Sequence, residues 1–237
     1  MSVESQLESA GQADRVRAMF GRIAARYDLN NRLHSFWRDQ AWRRRAVRVA
    51  AVRAGEAVLD VACGTGDLAG MFQRAGAGRV VGLDFCQEML DLARTKFAGR
   101  PIEWVRGDAM DLPFADASFE VVSIAFGIRN VARPERALEE FVRVLRPGGR
   151  LVVLEFDRPR GRVLGAAARF YLDRVMPRTA AWLAGDRAGA YVYLRDSVKA
   201  FWPAAELADR MARAGLVDVV SRGLTLGIAA LHRGVRP

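Results

Sequence analysis

The chain has 237 residues, of which 51% are hydrophobic and 27% charged, and its 37 Lys+Arg against 27 Asp+Glu give a formal net charge of +10. This is ordinary globular usage in a chain long enough to bury a sizeable core, which excludes a wholly disordered polymer. Two cysteines, Cys63 and Cys86, exclude a disulfide-stapled scaffold, and the two histidines, His34 and His232, stand too far apart to suggest a metal site, so no metal is expected.

The first residues carry Glu4, Glu8 and Asp14 and no apolar core, so no signal peptide is expected. No apolar run approaches the roughly 20 residues that span a bilayer, and the chain reads as cytoplasmic. The basic charge is compatible with nucleic acid, an anionic membrane face or an acidic substrate and chooses among none of them.

In chain order, Asp14 to about Arg26 has helical periodicity, with Val16, Phe20, Ile23 and Ala24 on one side. A second helix is predicted from about Asp39 to Arg53. There Trp42, Ala46, Val49 and Arg53 share a face, while Arg43, Arg44, Arg45 and Arg48 cover much of the rest. The period then changes. Ala57–Ala62 is a short apolar run ending at Cys63-Gly64-Thr65-Gly66, followed by a helix from about Asp67. Arg79–Asp84, Ile102–Arg106 and Phe119–Ala125 read as the next strands. A helix begins at Pro134, a residue favoured in the first helical turn, and is broken by Pro147-Gly148-Gly149 before a fifth strand at Arg150–Phe156. Gly161 to Ser197 reads as an insertion, with Leu164, Ala168, Tyr171 and Val175 on one stripe. A helix at about Pro203–Ala214 then leads to two strands, about Leu216–Arg222 and Thr225–His232, expected to close the sheet as an antiparallel pair.

Strands apolar on both faces and alternating with helices predict an α/β, Rossmann-like, doubly wound and mostly parallel seven-stranded sheet with helices on both faces. We divide this single domain, 1–237, into an N-terminal helical cap (1–54), a cofactor-binding core (55–157), inserted substrate-side helices (158–200) and a closing helix with strands (201–237).

In such a sheet, ligands lie beyond the carboxyl ends of the strands, where strand order reverses. Gly64, Thr65 and Gly66 occupy that place after the first strand, where glycines admit a ligand close to the backbone. Asp84 ends the second strand about twenty residues on, suited to ribose hydroxyls. Asp108 and Ala109 follow the third, beside the expected adenine. Gly64-x-Gly66-x-x-Ala69 also matches the loose dinucleotide fingerprint, so a nicotinamide dehydrogenase is one rival. Three features favour S-adenosylmethionine. Asp60 lies within the first strand, suited to the cofactor's ammonium. Gly107-Asp108-Ala109 and Asp111-Leu112-Pro113-Phe114 follow the third strand, and Leu145-Arg146-Pro147-Gly148-Gly149 precedes the fifth. Singly, Asp60 could be a loop brace, Cys63 a small buried residue, and Asp108 or Asp111 turn formers. In order, at successive strand ends, they resemble the motifs of class I methyltransferases.

The remaining segments resemble one family, the methyltransferases acting on demethylmenaquinone and on 2-polyprenyl-6-methoxy-benzoquinol, from Phe20 to Arg233. The matches are Phe20, Tyr27-Asp28, Asn31, Ser35-Phe36 and Trp42; Phe126-Gly127-Ile128-Arg129-Asn130-Val131; Arg143 through Gly149 leading to Leu154-Glu155-Phe156; and Ala230-Leu231-His232-Arg233-Gly234. Departures are Asn30 for the usual Met, Asp39 for a frequent His, Ala125 for a Ser of the cofactor site in some relatives, and Asp157 for the Ser that ends the second signature.

The resemblance implies methylation of a ring carbon of a prenylated quinol, demethylmenaquinol to menaquinol first, with the benzoquinol step of ubiquinone synthesis as the alternative. It implies Arg129 facing the substrate, stabilising a phenolate or orienting a water, because a guanidinium is not a base at neutral pH. Tyr27 and Asn130 would bond the quinol oxygens. The alternative is that Arg129 and Asn130 tie a loop. A prenyl tail gives the arginines of the second helix, and Phe170, Tyr171 and Trp182, a use at an anionic membrane surface, and a peripheral position at the inner face of the cell membrane is expected. An ordinary solvated face is the rival. No nucleic-acid partner is expected, since no aromatic and basic stripe is found. A methyltransferase of RNA or another small molecule ranks behind. A homodimer or a complex with other quinone-synthesis enzymes is left open.

Overall fold

The structure is a computed structural model and describes residues 38–158 and 188–237. The helix expected at Asp14–Arg26, Tyr27, the stripe from Leu164 to Val175, and Phe170 and Trp182 fall outside the described residues.

Helix α1 (Arg38–Ala50) precedes β1 (Ala57–Val61), α2 (Asp67–Arg74), β2 (Arg79–Asp84), α3 (Gln87–Lys96), β3 (Glu103–Arg106) and β4 (Phe119–Ala125). A short 3-10 turn (Ile128–Asn130) leads to α4 (Pro134–Val144) and β5 (Leu145–Phe156). After α5 (Ala188–Ala200) and α6 (Ala204–Arg213), β6 (Val217–Leu224) and β7 (Ala229–Val235) close the sheet, with a 3-10 turn (Thr225–Gly227) between them. The strand order is β3-β2-β1-β4-β5-β7-β6. β7 runs antiparallel to both its neighbours, and the other pairings are parallel. Order reverses between β1 and β4, which leaves a crevice beyond their carboxyl ends.

Alternation along the strands divides the core. Val58, Val80, Val121, Val152 and Leu231 pack with Trp42, Ala46, Leu68 and Phe72 under α1 and α2. Leu59, Val81, Val122, Val153 and Phe119 pack with Leu138, Phe141, Leu207 and Met211 under α4 and α6. The period of two along each central strand thus feeds two helical layers.

Three boundaries differ from expectation. Helix α1 ends at Ala50, so Arg53 lies beyond it, exposed. The buried stripe is Asp39, Trp42, Ala46 and Ala50, with Arg43 beside it. Arg150 fixes that end, since its Nε donates to the Ala50 carbonyl at 2.9 Å while its guanidinium pairs with Glu56. The fifth strand begins at Leu145, not Arg150. Leu145 turns extended directly after α4, and Arg146–Gly149 then bulge out between two stretches of pairing with β4. Arg236 stitches that bulge to β7, accepting from Gly148 N at 2.8 Å and donating to the Gly149 carbonyl at 2.9 Å. The last two strands lie a few residues later than predicted, at Val217–Leu224 and Ala229–Val235, because the left-handed residues Thr225 and Leu226 turn the chain between them.

Candidate active site

The first crossover gathers five of the predicted residues: Asp60, Gly64, Thr65, Gly66 and Asp84. Gly64 and Gly66 both take positive φ, +55 and +83. They differ in what surrounds them. Nothing lies within 4 Å of a Cβ built on Gly64, whereas one on Gly66 would stand 2.3 Å from the Trp104 ring. Gly64 therefore leaves open space, and Gly66 lets an aromatic side chain from β3 pack beneath the loop.

Asp84 braces this loop. One carboxylate oxygen accepts from Gly64 N at 2.8 Å and the other from Cys86 N at 2.9 Å. Each oxygen keeps a further acceptor position. Burial pushes its pKa up, against those two N–H donors.

Asp60 is 1% exposed. Its Oδ1 accepts from the Ser123 hydroxyl at 2.8 Å, and its Oδ2 is buried without a hydrogen bond. The Ala69 amide acts on it electrostatically but lies outside bonding geometry. Burial drives the carboxyl up to about 7, opposed by Ser123 and by the positive charge of Arg43. Cys63 follows β1, its thiol raised well above the usual range by burial and by Asp84 and Asp60.

Asp108 and Ala109 form the turn after β3. Asp108 accepts from Met110 N at 2.9 Å and bridges to Asp111, which makes it a turn former as well as a candidate ligand. Ala109 is buried in the core beside Leu112.

Across the crevice, Arg129 is held rather than free. Its guanidinium donates to Glu155 at 2.7 Å and to the Phe126 carbonyl at 2.5 Å, both side chains of the ion pair being nearly buried. It lies over the Phe156 ring, with the buried Nε unpartnered. Phe126 takes φ +59, a left-handed conformation for a bulky residue and so a strained corner, and its amide bonds to the Leu154 carbonyl at 2.7 Å. Asn130 Oδ1 accepts from the Tyr193 hydroxyl at 3.0 Å. Burial raises the Tyr193 pKa, with Arg129 opposing. The structure thus brings Arg129 and Asn130 together and ties both. Tyr27 lies outside the described residues.

Sequence reasoning missed Glu155 as the anchor of Arg129, Tyr193, Ser123, and Lys96, whose ammonium reaches Thr65 at 3.3 Å and Asp67 at 2.5 Å. Burial works against ionisation of Asp67, but Lys96 and its other partners hold its pKa below the usual value. Glu155 carried a signal, standing inside a quoted motif. Lys96 carried none, because its contacts cross between two helices. Asp157, the departure at the end of that motif, accepts from Ala204 N at 3.3 Å, at the start of α6.

A glycine turn after β1, acids at the ends of β1 and β2, and one antiparallel strand inside an otherwise parallel sheet define a class I, Rossmann-like methyltransferase. Two solved structures share the fold. One is the methyltransferase in an activator complex from Haloferax volcanii, with a TM-score of 0.70, 21% identity, and 94% of this chain and 97% of that one covered. The other is a SAM-dependent methyltransferase of Thermotoga maritima, with a TM-score of 0.64, 23% identity, and 93% and 99% covered.

The chain belongs to the ubiE/COQ5 methyltransferase family, whose family model matches residues 8–236. A relative from Thermus thermophilus named demethylmenaquinone methyltransferase is 50% identical over 92% of this chain and 100% of its own length. One of the same name from Deinococcus radiodurans is 46% identical over 96% and 94%. A relative from Roseobacter denitrificans named ubiquinone/menaquinone biosynthesis C-methyltransferase is 42% identical over 94% and 91%.

Proposed function

We propose that this enzyme uses S-adenosylmethionine to methylate a ring carbon of a prenylated quinol, converting demethylmenaquinol to menaquinol. The observation that carries the reading is the near-full-length identity to relatives named for that reaction. The benzoquinol step of ubiquinone synthesis is the second reading, favoured by the relatives whose names join both pathways.

The crossover residues fit the methyl donor. Asp60 offers a buried oxygen with no hydrogen bond. Gly64 leaves open space at its Cα, and Asp84 has acceptor capacity left on both oxygens. Asp60, Gly64, Thr65, Gly66, Asp84, Asp108 and Ala109 are the residues that would hold it, Asp60 at the ammonium and Asp84 at the ribose. When bound, the cofactor supplies a sulfonium methyl open to in-line attack.

This chain's own residues would prepare the acceptor. A quinol carbon becomes nucleophilic when a neighbouring phenol loses its proton. Glu155 neutralises and aims Arg129, whose unpartnered Nε–H is a donor for the phenolate, in a site buried enough to strengthen that attraction. Asn130 and Tyr193 would bond the second quinol oxygen. Attack would form the carbon–carbon bond as the methyl–sulfur bond breaks and S-adenosylhomocysteine leaves, and the ring proton would then pass to water as aromaticity returns. Positioning carries most of the rate.

We also propose that the prenyl tail brings the enzyme to an anionic membrane surface through α1, where Arg44 and Arg48 are exposed. Among the described residues no helix is long and apolar enough to cross a membrane.

Incubation of the purified protein with S-adenosylmethionine and a short-chain demethylmenaquinol, read by mass spectrometry, is expected to give a product heavier by one methylene on the ring. Cofactor binding with no product from this acceptor would move the assignment to the benzoquinol.

A further inference from the structure

Arg43 is a largely covered cation whose Nε has no hydrogen-bond partner. Its side chain is 11% exposed, and its Nε is buried with no hydrogen bond. Asp39, one turn back, lies 4.0 Å away, at the outer limit of an ion pair and beyond hydrogen-bond reach. An arginine desolvated in this way costs the fold free energy unless something negative meets it.

Its surroundings face the crevice. The guanidinium lies 5.2 Å from the centroid of Phe126, the strained residue that follows β4. One turn before it on α1, Gln40 donates to Asp67, in the first turn of α2, at 2.8 Å. Helix α1 is pinned at that height by Trp42, which donates to the Thr225 hydroxyl at 2.9 Å and packs against Phe126 and Phe156. Arg43 thus lies against Phe126, just past β4, on a helix whose Gln40 reaches the start of α2. The same guanidinium is the positive charge that acts on Asp60, inside β1.

Two opposite charges that act on each other therefore each keep an unbonded polar atom: Asp60 Oδ2 and Arg43 Nε. A ligand that satisfies both carries a cation and an anion a few bonds apart, which is the α-ammonium carboxylate of an amino acid. We propose that Arg43 binds the carboxylate of the methyl donor's amino-acid end while Asp60 binds its ammonium. This rests on the cofactor reading above. It also makes α1 part of the cofactor site and removes Arg43 from the group of arginines available to a membrane.

The discriminating ligand is decarboxylated S-adenosylmethionine, which keeps the ammonium and nucleoside and lacks only the carboxylate. Calorimetric titration of the native chain is expected to show S-adenosylmethionine binding about ten- to a hundred-fold more tightly than the decarboxylated form, the range of one charge-assisted hydrogen bond or pair. Arg43→Gln should remove that preference, weakening S-adenosylmethionine by the same factor and leaving the decarboxylated form unchanged or tighter. Arg43→Lys, which keeps the charge and loses the fork, should retain part of it. Equal weakening of both ligands, or of neither, overturns the assignment and leaves Arg43 as a counter-charge for Asp60 and Asp67. Failure of the native chain to bind either ligand overturns the cofactor reading itself.

Discussion

Around Asp60, β1, Ser123 of β4 and the start of α2 leave one carboxylate oxygen bonded and the other dry and unbonded. The groups that act on it are Ser123, Arg43, the Ala69 amide and Asp84, and burial outweighs them, so its folded-state pKa of about 7 stands above the ordinary 3.8. The stabilising contribution of its protonated form is present in full below 3.8 and lost as pH rises through about 7. Above that, the ionised carboxylate costs the fold about 4 kcal/mol. Asp60→Asn is therefore expected to raise the melting temperature of the ligand-free protein at about pH 8, to change it little at about pH 4, and to weaken S-adenosylmethionine binding at least tenfold. Thermal melts at the two pH values and one titration check this. A variant that melts lower at the higher pH would mean that Asp60 is ionised and satisfied. Asp60 was legible in sequence because its motif is local. Its unbonded oxygen was not, since that depends on three elements meeting. Arg43 failed differently. Positions 39, 42, 43, 46 and 50 form one helical stripe, and drawing the face through Trp42, Ala46, Val49 and Arg53 sent Arg43 outward.

Among the elements, the β1–α2 turn separates two uses of glycine. Gly66→Ala drives a methyl into the Trp104 ring at a left-handed backbone position, so it combines overpacking with backbone strain and should cost roughly 2–4 kcal/mol. Gly64→Ala meets no neighbour and should cost only the strain of its φ, about 1 kcal/mol, while narrowing the space a ligand would enter. Denaturant unfolding and cofactor titration of both variants are expected to cross over: Gly66→Ala loses mainly stability, Gly64→Ala mainly affinity. Loss of stability alone at Gly64 would remove it from the binding surface. Strands β2 and β4 have the predicted bounds because each is an apolar run with clear flanks. β5 was misjudged because Pro147-Gly148-Gly149 signals a break, whereas here the break is a bulge inside a strand whose pairing resumes at Arg150.

For the molecule as a whole, the 37 Lys+Arg overstate what is free to attract a partner, because many of them are spent on internal pairs. Arg143 bonds Glu140, Asp116 and two carbonyls, Arg150 bonds Glu56 and Ala50, and Arg129 bonds Glu155. These guanidiniums close the fold from within, a use that composition does not distinguish from a basic surface. The membrane reading therefore rests on exposed Arg44 and Arg48, with Arg45 partly covered. Co-sedimentation with vesicles containing phosphatidylserine is expected to fall steeply as salt rises and to weaken when Arg44 and Arg48 are both replaced by Gln, by about 1 kcal/mol per charge. Indifference to anionic lipid would leave α1 an ordinary solvated face.

The stitched position of β7 bears on how the chain acquires its shape as it is made. β7 is the last strand in chain order, yet it lies between β5 and β6, and among the described residues β6 has no other neighbour in the sheet. During vectorial synthesis the parallel half, β3-β2-β1-β4-β5, can assemble while β6 waits without its pairing partner and β5 still shows a raw edge. Insertion of β7 seals both gaps in one event and brings Arg236 onto the Gly148–Gly149 bulge. A ribosome paused before residue 229 would hold a chain with a largely formed cofactor crevice and two sticky borders. Unpaired edges of that kind are where copies of one chain pair with each other instead of with themselves.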